Sequence, residues 1–294
     1  KLVLNYGSQT IIPKEFESLV KNRNAFSIKP FLRAYDSILK EDIFDSVNEL
    51  PFVIVGSGLA AIEVSYALRK RWGDRPLKLL CDSRKINNTI LKSLRNSNID
   101  LVEKLNFDYG KILLCTGNTS PLWAQKKLLD SDSYGRIITN QNLQIKSFSG
   151  IFAVGDCAVV GSAKRPASGV FAVKVVNTLV QNLKKDIEGR SLKKWFPQKI
   201  GLQIVNIFPS HHPKAFAIYR NFVFGPSFIF WILKHKIDLN FIKKFRSKRL
   251  IMKSSEKNIS LNDCRGCAAK IPQFVLNKSL INSNLNSFAS SPED

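Results

Sequence analysis

The sequence predicts an α/β fold, in which short buried strands alternate with helices. The strongest indication is a run of four apolar residues, Phe52–Val55, followed by Gly56-Ser57-Gly58 and by helical spacing of apolar residues over 59–70. A second apolar run at 77–81 follows this helix. Further buried strands are predicted at 111–115 and 150–158.

Length and composition indicate a globular protein of two domains. The chain has 294 residues, of which 44% are hydrophobic, 15 are glycine and 12 are proline. The net charge of +22 is spread along the chain, so we expect no nucleic-acid partner; salt-sensitive binding to DNA or RNA is the alternative. Five scattered cysteines form no disulfide framework, and the sequence shows no signal peptide or spanning apolar run. We therefore expect a cytoplasmic protein.

The remaining elements are predicted from shorter patterns. They are strands at 1–6, 137–139, 201–208 and 215–223 and helices at 30–39, 89–96, 170–185 and 228–246. The helix at 170–185 has an apolar stripe that we expect to face the core. The stripe consists of Val170, Val173, Val176, Leu179, Val180 and Leu183.

The glycine turn after the first strand has the pattern G-x-G-x-x-A. Gly56 allows backbone angles that a side chain would forbid, Gly58 lets the backbone approach a diphosphate, and Ala61 lets the helix pack closely on the strand. The helix start adds free N–H groups and a positive dipole end. This pattern predicts a dinucleotide site, and the alternative is a connection whose glycines serve packing alone.

Two kinds of residue at the end of the second strand concern the choice of nucleotide. Asp82 lies where a carboxylate can accept a hydrogen bond from the ribose 2′-hydroxyl of NAD. Arg84 and Lys85 follow it and could instead hold the 2′-phosphate of NADP. Both alternatives stay open.

The stretch GIFAVGDCA at 150–158 is a strand that ends in Gly155-Asp156. Ligands of α/β folds lie beyond the carboxyl ends of the strands, so a carboxylate there can accept hydrogen bonds from ligand hydroxyls. The alternative is a turn aspartate that caps the next segment.

Taken in order, Gly7-Ser8, GSGLAAIE at 56–63, Cys115-Thr116-Gly117, IFAVGDCA and RPASGVFAVK at 165–174 resemble the FAD-dependent pyridine nucleotide oxidoreductases. The nearest branch is the type II NADH dehydrogenase-like proteins, over residues 1–251. The resemblance implies a Rossmann-like flavoprotein fold with two dinucleotide-binding domains, here lacking the first FAD-binding βαβ unit. The implied division is 1–30 and 121–255 in the FAD domain and 31–120 in the NAD(P) domain.

The resemblance also implies cofactors and residue roles. Gly7 and Ser8 would lie where the chain leaves the flavin domain, and Thr116 and Gly117 would line the cofactor site. Asp156, with Gly155 beside it, would bind the ribityl chain of FAD. The implied reaction is hydride transfer from NAD(P)H to FAD and onward to a small-molecule acceptor, such as a quinone or a selenium compound.

Two further roles come from the same resemblance. The helix start at Gly169 and Val170 would face the pyrimidine edge of the flavin, and Glu63 would lie near the nicotinamide and the flavin. A close cysteine pair, as in the disulfide-reductase members, is missing before residue 263, which disfavours that branch.

The tail DCRGCAAKIP at 263–272 is similar to the opening of selenide, water dikinase, in which a reactive cysteine precedes a lysine by three residues. Cys267 and Lys270 match this spacing, and the implied kinase start spans 256–294. Its reaction would use ATP and Mg²⁺ to make selenophosphate, with the remaining machinery after Asp294. A half zinc site is the alternative for C-x-x-C, but no second ligand pair follows and we expect no metal site.

The remaining expectations concern the extent of the chain, its C-terminal helix and the alternative to catalysis. Because the chain starts at Lys1 rather than Met and stops at Asp294 within a new motif, we expect a fragment of a longer fusion protein. For the helix at 228–246 we favour docking with a solvated basic face, and the alternative is peripheral contact of residues 228–250 with an anionic membrane. A nucleotide-sensing scaffold without turnover, which regulates the fused kinase, is the alternative to the oxidoreductase. The oligomeric state stays open.

Overall fold

The computed structural model describes residues 1–43, 50–121, 129–161, 168–198, 201–207 and 212–246. The chain divides into two compact units, Lys1–Asn240 and Phe241–Asp294. Of the second unit, only the helical residues 241–246 are described. Residues 256–294, with Cys267 and Lys270, lie outside the described part, so the predicted kinase start has no structural description.

The described part contains both strands and helices. The strands are β1 Leu2–Leu4, β2 Gln9–Thr10, β3 Ala25–Ser27, β4 Phe52–Val55, β5 Leu77–Leu80, β6 Ile99–Val102, β7 Ile112–Leu114, β8 Asn118–Thr119, β9 Ile137–Thr139, β10 Ile151–Ala153, β11 Ala158–Val160, β12 Gln203–Ile207, β13 Lys214–Tyr219 and β14 Phe222–Ser227. The helices are α1 Glu17–Lys21, α2 Phe31–Ile43, α3 Leu59–Trp72, α4 Asn88–Asn96, α5 Gly169–Lys174, α6 Val176–Ile187 and α7 Phe228–Arg246.

A five-stranded parallel sheet has the order β3-β7-β4-β5-β6. It forms the half of the described chain in which the sequence predicts the dinucleotide site, and we call it the nucleotide half. Its central strand β4 is buried on both faces, because alternate residues enter different cores. Phe52 and Ile54 pack with α3 and α4, whereas Val53 and Val55 pack with Phe16 on the opposite face. The predicted α/β fold is confirmed. The sheet also aligns the carboxyl ends of β4, β5 and β7.

A three-stranded antiparallel sheet, β12-β13-β14, covers α3 on the side away from the parallel sheet. Val205 and Phe216 from this sheet join the same core as Ile62 and Tyr66 of α3. The strand predicted at 215–223 is in fact two strands, because the chain turns at Arg220, which has a φ of 54°. Strand β14 is thus an element that the sequence pattern does not predict.

The second half consists of two parallel pairs, β1 with β10 and β9 with β11. We call it the flavin half, because the sequence predicts the flavin site there. Leu2 pairs with Ile151 and Leu4 pairs with Ala153, so strands far apart in sequence are adjacent. The two chain crossings between the halves, β2 and β8, pair antiparallel with each other. The predicted boundaries of the FAD and NAD(P) domains stay a prediction.

The expected core stripe of the helix at 170–185 is wrong for four of its residues. Val170, Val173, Val176 and Val180 are exposed. The helix is interrupted at Val175, which separates α5 from α6, and the buried face of α6 contains Thr178, Leu179 and Asn182. Asn182 faces inward because its side chain bonds the backbone of Asn142 and Lys193, at 2.8–2.9 Å.

Helix α7 differs from the docked helix that we favour from the sequence. Phe230, Trp231, Ile232 and Lys234 are partly buried, but Phe228, Ile229, Leu233 and all of residues 235–240 are exposed. Only the first two turns therefore pack on the protein. In the described part, no helix combines the length and the apolar character that are needed to cross a membrane.

Candidate functional site

The glycine turn lies at the carboxyl end of β4, against the end of the neighbouring strand β7. Gly56 has a φ of 144°, and a Cβ placed on it would lie 2.5 Å from the carbonyl oxygen of Cys115 and 3.3 Å from the Cβ of Ala61. Its N–H donates to the carbonyl of Leu80, at 2.9 Å. Only glycine fits here, since both the backbone angle and the space exclude a side chain.

Gly58 is the N-cap of α3, and its surroundings are open. A Cβ on Gly58 would meet no atom within 4 Å, and no side chain caps the helix start. Ala61 is fully buried, which lets α3 approach the sheet. The open space over uncapped N–H groups at the start of a 14-residue helix fits the diphosphate of a dinucleotide.

Asp82 is held at the same edge of the sheet by two neighbours. Its N–H donates to the Oγ of Ser57 in the glycine turn, at 2.9 Å. Its carboxylate accepts bonds from the N–H and the Nε of Arg84, at 3.2 and 2.9 Å. The hydrogen bond from the Arg84 side chain lowers the pKa of Asp82 below its usual value. Both residues are on the surface, and the choice between NAD and NADP stays open.

Thr116 and Gly117 follow β7 and contact the first chain crossing. The Thr116 hydroxyl donates to the carbonyl of Ile11, and the N–H of Ile11 donates to the carbonyl of Gly117, at 3.2 Å. These two residues therefore join the nucleotide sheet to the segment that enters it.

A second polar cluster lies at the carboxyl end of β10. Ser8 donates to Oδ2 of Asp156 at 3.1 Å, and the ammonium of Lys29 donates to the same oxygen at 2.7 Å and to Ser8 at 3.0 Å. Gly155 has a φ of 80°, and a Cβ there would collide with the side chain of Asn5. Gly7 also has a positive φ, of 78°. The structure thus brings the predicted residues Gly7, Ser8, Gly155 and Asp156 together.

Glu63, in the second turn of α3, forms an ion pair with Lys234 of α7. The pair is partly exposed, with 39% of the Glu63 side chain accessible. The sequence gives no indication of this partner, because 171 residues separate the two positions.

The helix start at Gly169 and Val170 is described, but residues 162–167 of the motif before it are not. Val170 is exposed, and no atom lies within 4 Å of a Cβ placed on Gly169. Ser168 and Gly155 line a small cavity of about 40 Å³ beneath α5, together with Phe171 and Trp195. Neither Gly169 nor Val170 is among its lining residues.

Most of the predicted site residues fall into two described groups, whereas Glu63, Gly169 and Val170 belong to neither. Gly56, Gly58, Ala61 and Asp82 surround the glycine turn, and Gly7, Ser8, Gly155 and Asp156 form the second cluster, with Thr116 and Gly117 at the crossing. Lys29 and Lys234 are the residues that sequence reasoning missed.

Known proteins resemble this chain over part of its length. No family model matches the chain. It is 24% identical to human ferroptosis suppressor protein 1 over 233 residues, which covers 67% of this chain and 59% of that protein. It is 28% identical to a probable NADH dehydrogenase of Dictyostelium discoideum over 176 residues, which covers 44% of this chain and 39% of that protein. The chain therefore spans about three fifths or less of these relatives.

Among solved structures, the sulfide:quinone oxidoreductase of Aquifex aeolicus aligns with a TM-score of 0.56 at 17% identity, over 84% of this chain and 68% of that one. The chain has a Rossmann-like, FAD/NAD(P)-binding flavoprotein fold. This finding confirms the fold that the ordered motifs predict. The activities and cofactors of the relatives belong to those proteins, and for this chain they are proposals.

The three described cysteines of this flavoprotein fold are buried thiols. Burial raises the pKa of Cys115 from 9.0 to about 12, and it also raises the pKa values of Cys81 and Cys157. None of them has the depressed pKa that a nucleophilic thiolate requires.

We expect these three thiols to resist alkylation by iodoacetamide at pH 8 in the folded chain and to react after unfolding in urea, as measured by peptide mass mapping. Because the folded pKa of Cys115 is raised, its stabilising contribution is present below pH 9.0 and is lost as the pH rises towards about 12. Rapid labelling of Cys115 in the folded chain would contradict this picture.

Proposed function

We propose that the chain belongs to an FAD-dependent NAD(P)H oxidoreductase. The observation that carries this proposal is the pairing of two strand-end sites in one compact unit. One is the Gly56 turn, which only glycine fits, and the other is the Ser8–Lys29–Asp156 cluster. The curated relative from Dictyostelium, a probable NADH dehydrogenase, supports the nicotinamide donor.

The residues of both sites fit their proposed ligands. The open N–H groups at Gly58 would bind the diphosphate of NAD(P)H, and Asp82 or Arg84 would contact its ribose. Asp156 would accept a hydrogen bond from the ribityl chain of FAD. Bound there, FAD would accept hydride from the nicotinamide and pass electrons to the acceptor. Glu63, paired with Lys234, would lie near the nicotinamide and the flavin.

The test is reduction of the FAD-loaded protein by NADH and by NADPH under anaerobic conditions. We expect the flavin absorbance near 450 nm to bleach with at least one nucleotide. A Gly58→Ala variant should require at least roughly tenfold more nucleotide, because its Cβ would occupy the space of the diphosphate. If neither NADH nor NADPH bleaches the flavin, the proposal is contradicted.

For the acceptor we propose a small molecule, either a quinone or a selenium compound. A quinone is supported by the fold shared with a sulfide:quinone oxidoreductase. Steady-state oxidation of NAD(P)H in the presence of quinones, dyes and selenium compounds tests this part. Bound flavin without turnover on any of them would favour the nucleotide-sensing scaffold instead.

We also propose that the surface of β14 and α7 makes peripheral contact with an anionic membrane. Phe222, Phe228, Ile229 and Ile237 are exposed there at 47–72%, and lysines flank them. We expect flotation with anionic vesicles and none with zwitterionic ones, and we expect the double variant Phe222→Ser, Ile229→Asn to weaken it. Equal behaviour of the variant and the native chain would contradict this contact.

The kinase start at 256–294 is a separate proposal that rests on the motif DCRGCAAK. ATP and Mg²⁺ would serve a domain of which Cys267 and Lys270 are the first functional residues. A lysine ammonium near a thiol lowers the thiol pKa. We therefore expect Cys267 to be alkylated faster than Cys264 at pH 7, and a Lys270→Met variant to remove this difference. Equal rates in the native chain would contradict the assignment.

A further inference from the structure

Lys29 is fixed by the nucleotide half but reaches into the flavin half. It follows β3, its N–H donates to the hydroxyl of Thr10 at 2.9 Å, and the N–H of the preceding residue, Ile28, donates to the carbonyl of Leu114 at 3.0 Å. Its ammonium nevertheless bonds Asp156, which lies 127 positions later in the chain. The backbone of Lys29 is therefore held between β2 and β7, while its ammonium binds Asp156 at the end of β10.

The hydrogen bonds to Asp156 are asymmetric. Both Lys29 and Ser8 donate to Oδ2, and the two donors are also bonded to each other, so the three side chains form a closed triangle. Within the described residues, Oδ1 accepts no hydrogen bond, and it is not among the buried polar atoms that lack a partner. The carboxylate is thus held by one oxygen, and the other is left to accept a hydrogen bond from a ligand.

This arrangement suits a ligand that donates a hydroxyl. A carboxylate that rotates freely must lose that freedom when the ligand binds, whereas one held by two donors has already lost it. The ion pair is partly shielded from water, with 34% of the Lys29 side chain and 21% of the Asp156 side chain accessible. A charge in this position acts on a bound ligand more strongly than a fully solvated one.

We propose that Lys29 is a positioning residue of the flavin site, which holds Asp156 by Oδ2 so that Oδ1 accepts a ribityl hydroxyl. This inference rests on the proposed function. A second effect follows from the charge of Lys29. Hydride uptake adds one negative charge to a flavin, so a fixed cation close to the site favours the reduced cofactor and raises its midpoint potential.

The test is titration of the flavin-free full-length protein with FAD, together with the midpoint potential of the loaded protein, for native Lys29, Lys29→Met and Lys29→Arg. We expect Lys29→Met to bind FAD about tenfold more weakly or worse, because Asp156 is left without its cation. We expect its midpoint potential to fall by about 30 mV, which corresponds to a tenfold change in the ratio of the two binding constants for a two-electron couple. Lys29→Arg should restore most of both values.

Two further variants keep the test decisive. Lys92→Met removes an exposed charge from α4 and should change neither value. Ser8→Ala removes the other bond to Oδ2 without a change of charge, and it should weaken FAD binding but leave the potential unchanged. Ser8→Ala also tests the positioning of Asp156 if Lys29→Met does not fold.

The outcomes separate this inference from the proposed function. If the native full-length protein binds no FAD, the proposed function fails and this inference fails with it. If the native chain binds FAD but neither Lys29→Met nor Ser8→Ala changes the affinity, Lys29 does not position Asp156. A lower thermal stability of Lys29→Met with native affinity and potential would show a structural role only and would overturn the inference.

Discussion

A Gly56→Ala substitution is expected to destabilise the protein by about 2–6 kcal/mol. The added methyl group would lie 2.5 Å from the carbonyl oxygen of Cys115 and 3.0 Å from its carbon, both of which belong to a backbone that cannot move away. A φ of 144° adds strain of its own for a residue with a side chain. Each effect costs about 1–3 kcal/mol. Urea unfolding followed by circular dichroism measures the change.

Gly58→Ala is the matched control for this substitution. A Cβ on Gly58 meets nothing within 4 Å, so we expect a stability change of no more than about 1 kcal/mol. The two glycines thus separate fold from function: loss of Gly56 affects folding, and loss of Gly58 affects nucleotide binding. Native-like stability of Gly56→Ala would show that the turn relaxes more easily than its contacts indicate.

A Glu41→Ala substitution is expected to cost up to about 3–5 kcal/mol, because it removes a carboxylate that pairs with a buried guanidinium. Arg75 has only 1% of its side chain exposed, and its Nη2 lies 3.1 Å from Oε2 of Glu41. The guanidinium also stacks over the ring of Trp72, with 4.5 Å between its central carbon and the ring centroid. It therefore cannot move into water without losing this packing.

The exposed pair between Lys78 and Asp100 provides the comparison. Its atoms are 2.9 Å apart, which is closer than in the buried pair, but 67% of the Asp100 side chain is accessible. Asp100→Ala should therefore change the free energy of unfolding by less than about 1 kcal/mol. If Glu41→Ala and Asp100→Ala lowered the free energy of unfolding by similar amounts, burial would not be what makes the Glu41–Arg75 pair the more important one.

The sequence allowed the central strands and the glycine turn to be predicted because their physical requirements are local. Phe52–Val55 is buried on both faces, which produces an unbroken apolar run, and the turn needs glycine at Gly56 whatever lies elsewhere. The Asp156 position was also predicted. Its partner Lys29 was not, because the contact depends on how β3 is placed beside β7.

Other elements were missed for identifiable reasons. Strand β3 has only three residues, which are too few to show a period. Strand β14 begins with three apolar residues in a row, so its sequence does not alternate between apolar and polar residues, and Phe222 and Phe224 are exposed. The break between α5 and α6 leaves no trace in the pattern of valines, since both sides of the break are apolar. Tertiary packing decided each of these cases.

The pairing of β1 with β10 has a consequence for the order in which the chain can assemble during synthesis. The five strands of the nucleotide sheet all lie between residues 25 and 114, so they can pair once that stretch has left the ribosome. Leu2 of β1 can pair with β10 only after Ile151 has been synthesised, and closing so long a flexible loop has an entropic cost. A folded nucleotide half shortens the loop, because β2 and β8 bring its two ends side by side. The flavin half is therefore expected to form last.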